Sequence, residues 1–299
     1  MGPCKRRRLA PILFVSTLID NMSNQKPNNY MKRQKLTFLI TILISMVGAK
    51  AFSYDAQIDG IYYNFSGTEA TVTYYDFYAS GNKNAYTGNV VIPESVTYDK
   101  KSYNVTSIGQ RAFQNCTNLN SVTIPSSVTS IYRDNPFQSC TSLTSIVVEE
   151  GNCKYDSRNN CNAIIESATN SLIAGCMNTI IPSSVTSIGQ YAFYGSGLTS
   201  MTIPSSVASI DEYSFGDNKS LHSLTIGNGV TSIGKGAFSG CSGLTSLTIG
   251  CGVTNIGDFA FNGCSGLTTL TIPNSVTSIG EYNQEIKGVT NVEIIPVSA

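Results

Sequence analysis

The sequence predicts a β-rich right-handed solenoid of about 23 residues per coil, entered through an N-terminal β cap. Three observations predict it. The pattern L-x-x-L-x-I-P/G-x-x-V-T-S-I-G-x-x-A-F-x-x-C recurs between about Cys116 and Ile279. Four copies run unbroken, as Leu198-Met201-Ile203, Leu221-Leu224-Ile226, Leu244-Leu247-Ile249 and Leu267-Leu270-Ile272, each triple 23 residues from the next. Residues 52–105 do not repeat, yet alternate as strands do in Ala70-Thr71-Val72-Thr73-Tyr74. A solenoid offers an extended surface rather than a pocket, so binding is the first function class to consider.

Residues 1–51 read as an upstream extension and a secretory signal. From Met31, the bases Lys32, Arg33 and Lys35 precede an apolar run from Leu36 to Val47, and Ala49-Lys50-Ala51 supplies small residues for cleavage near Ala51. The run falls short of the roughly 20 residues a bilayer span needs, so the mature chain carries no transmembrane segment. A single long signal from Met1, with Lys5–Arg8 as its basic region, is the other reading, and both export the chain. Nine of the 19 Lys and Arg lie before Phe52 against one acid, Asp20. Residues 52–299 therefore hold ten bases and 18 acids, a net charge of −8. Nucleic-acid binding rests on basic phosphate contacts, and this balance excludes it as a partner class.

The stretch 52–105 is rich in tyrosine (Tyr54, Tyr62, Tyr63, Tyr74, Tyr75, Tyr78) and reads as a meander covering the apolar end of the first coil. Asn89–Ile92 followed by Pro93 is the first strand in repeat register, and Val96 to Val105 is a hairpin around Asp99-Lys100-Lys101-Ser102. The solenoid occupies 106–299. In each copy the Leu and Ile of L-T-S-L-T-I point inward, and Pro or Gly ends the strand; Pro93, Pro125, Pro182, Pro204 and Pro273 hold that slot. Val-Thr-Ser-Ile crosses a second side. Ala-Phe fills a third, where Phe113, Phe137, Phe193, Phe215, Phe238 and Phe261 are expected to stack into one spine.

An irregular insert interrupts the period at 149–179, where Ile131 to Ile188 spans 57 residues. Cys161–Glu166 and Ser171–Cys176 flank Ser167–Asn170 as a hairpin would. In that register Ile165 faces Leu172, Ala163 faces Ala174 and Cys161 faces Cys176, close enough for a disulfide. Two free thiols, or pairing with Cys153, are the alternatives. The last coil is shortened: Asn283–Gly288 replaces A-F-x-x-C, and Val289-x-x-Val292-x-Ile294 before Pro296 restores a strand. Cys116, Cys140, Cys241 and Cys264 close the A-F-x-x-C element, and Ser196 and Asn218 fill the same slot. A small interior side chain fits all three types, with the thiol acting as a small hydrophobe. No C-x-x-C pair or His partner suggests a metal.

The repeat L-x-S-L-T-I-P-S-S-V-T-S-I-G-x-x-A-F-x-G-C resembles the BspA-like leucine-rich repeat family, the Treponema pallidum-type repeats, over roughly Val90 to Ile279. The resemblance implies a bacterial surface protein, secreted or held at the cell surface, that binds a protein partner such as host matrix or another bacterial surface. Family members often carry a C-terminal anchoring region, and this sequence shows no recognisable one. No catalytic residues, metal or cofactor are expected. One histidine, His222, makes no constellation, and Ser appears in no G-x-S-x-G. Asp211-Glu212 and Glu149-Glu150 read as solvated turns. The candidate ligand-binding residues are the outward positions of the long strands: Thr199, Ser200, Thr202, His222, Ser223, Thr225, Thr245, Ser246, Thr248, Thr268, Thr269 and Thr271. They form a hydroxyl-rich face without aromatic anchors, suited to weak multivalent adhesion. A structural spacer or matrix component, whose faces need only be soluble, is the alternative function.

Overall fold

The computed structural model describes residues 54–74 and 85–281 and the backbone of 291–295. The expected leader, with Tyr75, Tyr78, Val289 and Pro296, lies outside the described residues. The described chain is almost entirely strand and turn, with one short 3-10 turn at Arg158–Asn160.

The chain opens with an antiparallel meander of Ala56–Ile58, Ile61–Ser66 and Glu69–Val72. Alternation puts Ala70 and Val72 inside. Glu69–Val72 then pairs in parallel with Lys101–Ile108, with Val72 opposite Ile108. Ser95–Tyr98 folds back on Lys101–Ile108 through Asp99-Lys100 alone. Both turn residues have positive φ, 48° and 67°, as the tightest hairpin turns require.

Each later repeat contributes three runs that meet their counterparts in the next. The first is the long strand. Gly88–Val91, Leu119–Ile124 and Ser145–Val148 form one parallel sheet; Ser200–Ile203, Ser223–Ile226 and Ser246–Thr248 form another. Thr269–Pro273 pairs with Asn291–Ile295, Leu270 opposite Val292 and Ile272 opposite Ile294. The second run is the Ser-Ile step. Ile108 lies beside Ile131, and later Ile188, Ile210, Ile233, Ile256 and Ile279 follow one another in register. The third run carries Ala-Phe. Its amides reach the next repeat's carbonyls, as in Tyr191 to Glu212, Phe193 to Ser214 and Phe215 to Ala237, at 3.1, 2.6 and 2.8 Å. The residue before Ala-Phe is left-handed in repeat after repeat, with φ of 56° at Arg111, Tyr191 and Phe259 and 50° at Tyr213.

Two turns differ from the Pro-Ser-Ser form. Gly227-Asn228-Gly229 and Gly250-Cys251-Gly252 follow backbone closely. A Cβ on Gly229 would stand 1.8 Å from the Ser205 carbonyl oxygen, and one on Gly252 1.9 Å from that of Asn228. Only glycine permits that approach.

The insert is a hairpin of Ala163–Glu166 and Ser171–Gly175, braced by Tyr155–Asp156. Ile165 faces Leu172 as the sequence suggests. A bulge between Ile164 and Ile165 then shifts the pairing, so Ala163 faces Gly175 instead of Ala174. Both faces of the hairpin are buried. Cys161, Ala163, Ile165 and Leu172 belong to the core of the later repeats. Ile164, Ala174 and Cys176 belong to the core of the earlier ones. The expected Cys161–Cys176 disulfide is therefore not made: the bulge turns the two cysteines into different cores, and both are free thiols. Burial on both faces also explains why the two strands read as continuous apolar runs.

The single phenylalanine spine is likewise corrected to two. Tyr86, Phe113 and Phe137 stack at 4.5 and 5.0 Å between centroids. Phe193, Phe215, Phe238 and Phe261 stack at 4.8, 5.2 and 5.5 Å. The hairpin ends the first stack and starts the second. Gly175 lies so close to the Phe193 ring that a Cβ there would reach Cε1 at 2.0 Å. Each ring contact contributes about 0.5–1.5 kcal/mol beyond the apolar area it buries.

Candidate functional site

The parallel register sets the candidate face. Ser200, Ser223 and Ser246 align across three strands, and so do Thr202, Thr225 and Thr248. Their inward neighbours Met201, Leu224, Ile203 and Ile226 are buried, so alternation holds the hydroxyls in water. Thr199, His222 and Thr245 form a third column, its amides bonding the preceding carbonyls at 2.9 and 3.0 Å. Nine of the twelve candidates thus share one exposed sheet face. Thr269 and Thr271 lie on the next long strand, outside this three-stranded ladder. The sheet ends at Ser246–Thr248, and Thr269 and Thr271 pair with Asn291–Ile295 instead. At that edge Leu247 and Ile249 are only partly buried.

Some hydroxyls are occupied by the fold. Thr245 Oγ1 donates to the His222 carbonyl oxygen at 3.2 Å. On the second run, Thr231, Thr254 and Thr277 do the same to the preceding repeat and Thr186 to Thr169 of the hairpin, at 3.1–3.2 Å. The repeated Thr is in part a side-chain ladder between repeats, and this role explains its persistence on the second run.

The slot after A-F is a second ladder. Cys140, Cys241 and Cys264 point Sγ at the carbonyl oxygens of Phe113, Phe215 and Phe238, at 3.0, 3.2 and 3.2 Å. Asn218 Nδ2 donates to the Phe193 carbonyl at 2.7 Å, and its Oδ1 lies 3.2 Å from Ser196 Oγ. The slot therefore selects a buried hydrogen-bond donor, and its thiols are donors as well as small hydrophobes. Burial pushes the Cys241 thiol up to about 12 and that of Cys116 to about 11, and raises Cys140 and Cys264 too. These groups stay protonated near neutral pH, as S–H donors must, and are poor nucleophiles.

Sequence reasoning missed two surface features. Val91, Val147 and Ile180 are apolar and exposed, Ile180 at 75%. Val91 and Val147 flank Thr123 on the outer face of the earlier long strands. Tyr191, Tyr194 and Tyr213 form a half-buried cluster on the third run. Beside it, a shallow concavity of about 300 Å³ is lined by Gln190, Ile210, Asp211, Glu212, Ser232, Ile233, Gly234 and Asn255. Burial raises the Asp211 carboxyl above its ordinary value. The signal was the tyrosine before Ala/Ser-Phe in two successive repeats, a position the strand-centred reading did not weigh. Among the described residues, no three His, Cys, Asp or Glu side chains gather as a metal site. Among the described residues, no helix is long and apolar enough to cross a membrane.

Comparisons with known proteins agree with the repeat. No curated protein matches the chain. Among solved structures, a leucine-rich repeat protein from Bacteroides ovatus is similar at 27% identity and a TM-score of 0.49, over 76% of this chain. This chain spans 61% of that protein's length. The T. pallidum leucine-rich repeat protein matches at 23% identity and a TM-score of 0.38, over 76% of this chain and 86% of that one. The pneumococcal vaccine antigen PcpA matches at 18% and 0.42, over 78% of each chain. The model of the BspA type leucine-rich repeat region matches in six copies, over residues 94–172 and 164–285. With the matched stretches meeting in the hairpin and covering most of the repeats, the chain belongs to the BspA-type leucine-rich repeat family.

Proposed function

We propose that this chain is an exported, right-handed solenoid that adheres to a protein partner at the cell surface, without catalysis. The family supports a protein-interaction or surface role. The basic and apolar segment before Ala51 supports export, with cleavage leaving residues 52–299 as the cap and solenoid. The observation that carries the binding reading is the in-register hydroxyl face of Ser200, Ser223, Ser246 and their neighbours, held in water by buried strand residues on the other side. Identical short side chains repeated at about 4.8 Å intervals suit many weak contacts rather than one tight anchor.

The test is binding of the purified chain to immobilised host matrix proteins and to bacterial surface fractions. Saturable binding, reduced at least tenfold by charge substitutions at Ser200, Ser223 and Ser246, is the expected result. The spacer reading has its own support in Thr245, whose hydroxyl already bonds the neighbouring strand. Failure to bind any surface would favour it.

A further inference from the structure

The tyrosine cluster on the third run is a better anchor than the hydroxyl face. Tyr191 and Tyr213 occupy the same position in successive repeats, with ring centroids 5.6 Å apart and planes within 6°. Tyr194 meets Tyr191 edge-on at 5.7 Å. The following repeats leave room for these rings. A Cβ on Gly236 would stand 2.3 Å from the Tyr213 ring, and one on Gly216 2.8 Å from that of Tyr194. Three aromatic side chains thus lie along the surface, partly exposed, where a core role would have buried them as it buries the phenylalanines one or two residues away.

The concavity adjoins this cluster through the backbone. The Tyr191 amide donates to the Glu212 carbonyl, which places the ring beside the carboxyl-bearing residue of the next repeat. Burial first, then the charges of Glu212 and Asp134, raise the Tyr191 phenol above its ordinary value, consistent with carboxylates close by. Asp217, near Tyr194, is paired with Lys219 at 3.3 Å. Among the described residues, no Lys or Arg lies within ion-pair distance of Asp134, Asp211 or Glu212. The nearest polar partner of Glu212 is neutral, Gln190 Nε2 at 3.4 Å. Aromatic rings bordered by carboxylates without an ion-pair partner, in residues 52–299 of net charge −8, complement a cation that can also stack. A planar guanidinium does both, and a lysine ammonium does so less completely.

We propose that this surface binds an arginine- or lysine-bearing segment of a protein partner. Cationic side chains pack on the exposed parts of Tyr191 and Tyr194 and pair with Glu212 and Asp211. The inference rests on the protein-binding reading and deepens it, moving the anchor off the long-strand face.

The experiment uses the full purified chain and a short fluorescein-labelled peptide of alternating arginine and glycine, read by fluorescence anisotropy. A second peptide carries glutamine in place of arginine. Expected are saturable, salt-weakened binding of the first and at least tenfold weaker binding of the second. Tyr191→Ala and Glu212→Gln should each weaken binding by about tenfold, while Glu69→Gln, which removes the same charge from the distant opening meander, leaves it unchanged. Glu212→Gln keeps shape and removes only charge, so its result stands even where Tyr191→Ala unfolds. Equal binding of the two peptides, indifference to Glu212→Gln, or displacement by a neutral oligosaccharide would overturn the proposal. A matrix ligand lost with Ser223→Glu and retained with Glu212→Gln would sink this inference alone. The opposite pattern would support it and remove the strand face from the adhesion reading.

Discussion

The repeats before Glu149 and those after Cys161 carry one pattern, yet they form separate sheets, separate ring stacks and separate cores. Each set begins the same way. An antiparallel hairpin presents a strand to the Ser-Ile column: Glu69–Val72 in the first set and Ser171–Gly175 in the second. The following Gly amide then bonds the same position, Gly109 to Val72 and Gly189 to Leu172, both at 2.8 Å. A buried tyrosine hydroxyl serves a nearby strand amide in both places: Tyr86 takes that of Tyr62, and Tyr155 that of Ile131. The insert is thus a second starting cap rather than a lapse in the repeat. A stack of nearest-neighbour units needs such a cap wherever a new core begins. The sets still join on the third run, through Ser139 N–H to the Tyr194 carbonyl at 3.0 Å and Asn135 Nδ2 to the Ala192 carbonyl at 2.8 Å.

The comparison breaks most sharply at Gly175, where the hairpin meets the second ring stack. Gly175→Ala should destabilise the chain by about 3 kcal/mol, because the added methyl must displace the Phe193 ring. Denaturant unfolding followed by hydrogen exchange would read it. A loss below about 0.5 kcal/mol would mean that the junction yields and the sets pack loosely there.

A smaller effect belongs to the second set's donor ladder. Asn218→Ala should cost about 2 kcal/mol, since the Phe193 carbonyl loses its side-chain partner and that of Phe215 keeps only Cys241. Asn218→Cys should recover half or more of that, because thiols already do this work at Cys241 and Cys264. Equal thermal melts for the Ala and Cys variants would reduce the ladder to simple packing.

The smallest effect tests the cap itself. Arg158 holds Asp156 through one guanidinium edge, Nε to Oδ1 at 2.7 Å and Nη2 to Oδ2 at 2.6 Å, and Ser167 Oγ adds a bond at 2.7 Å. Burial raises the Asp156 carboxyl, but these hydrogen bonds outweigh it and hold the group below its ordinary value. A depressed carboxyl contributes stability above its unfolded pKa, and that stability is lost as pH falls through the folded value. Asp156→Asn should therefore cost about 1 kcal/mol at neutral pH, discounted for partial exposure. The gap from wild type should close in acid below about pH 4. A gap that persists there would point to geometry rather than charge.

Much of this was legible in the residues. Period, strand positions and inward side chains follow from Leu, Ile, Val and Phe at fixed spacing, because burial on a parallel stack leaves little choice. The slot shared by Cys116, Ser196 and Asn218 was legible as small and interior, but its donor role needed the neighbouring Phe carbonyl, which lies some 25 residues away. The bulge between Ile164 and Ile165 has no residue signal, since both neighbours are buried whichever register is used. That hidden shift separated Cys161 from Cys176. Of the candidate face, nine positions came together because identical spacing enforces register. Thr269 and Thr271 fall outside that ladder, which ends one strand earlier than the repeat does.

The buried thiols have a practical consequence. In residues 52–299 only Cys153 and Cys251 are exposed, while the remaining cysteines are buried. A maleimide dye applied to residues 52–299 would mark those two positions and spare the six buried thiols. One lies in the segment leading to the hairpin and the other in the later stack, so residues 52–299 come with a pair of attachment points across their internal boundary. Energy transfer between them would report whether the two stacks twist against each other when a partner docks, without replacing a single cysteine.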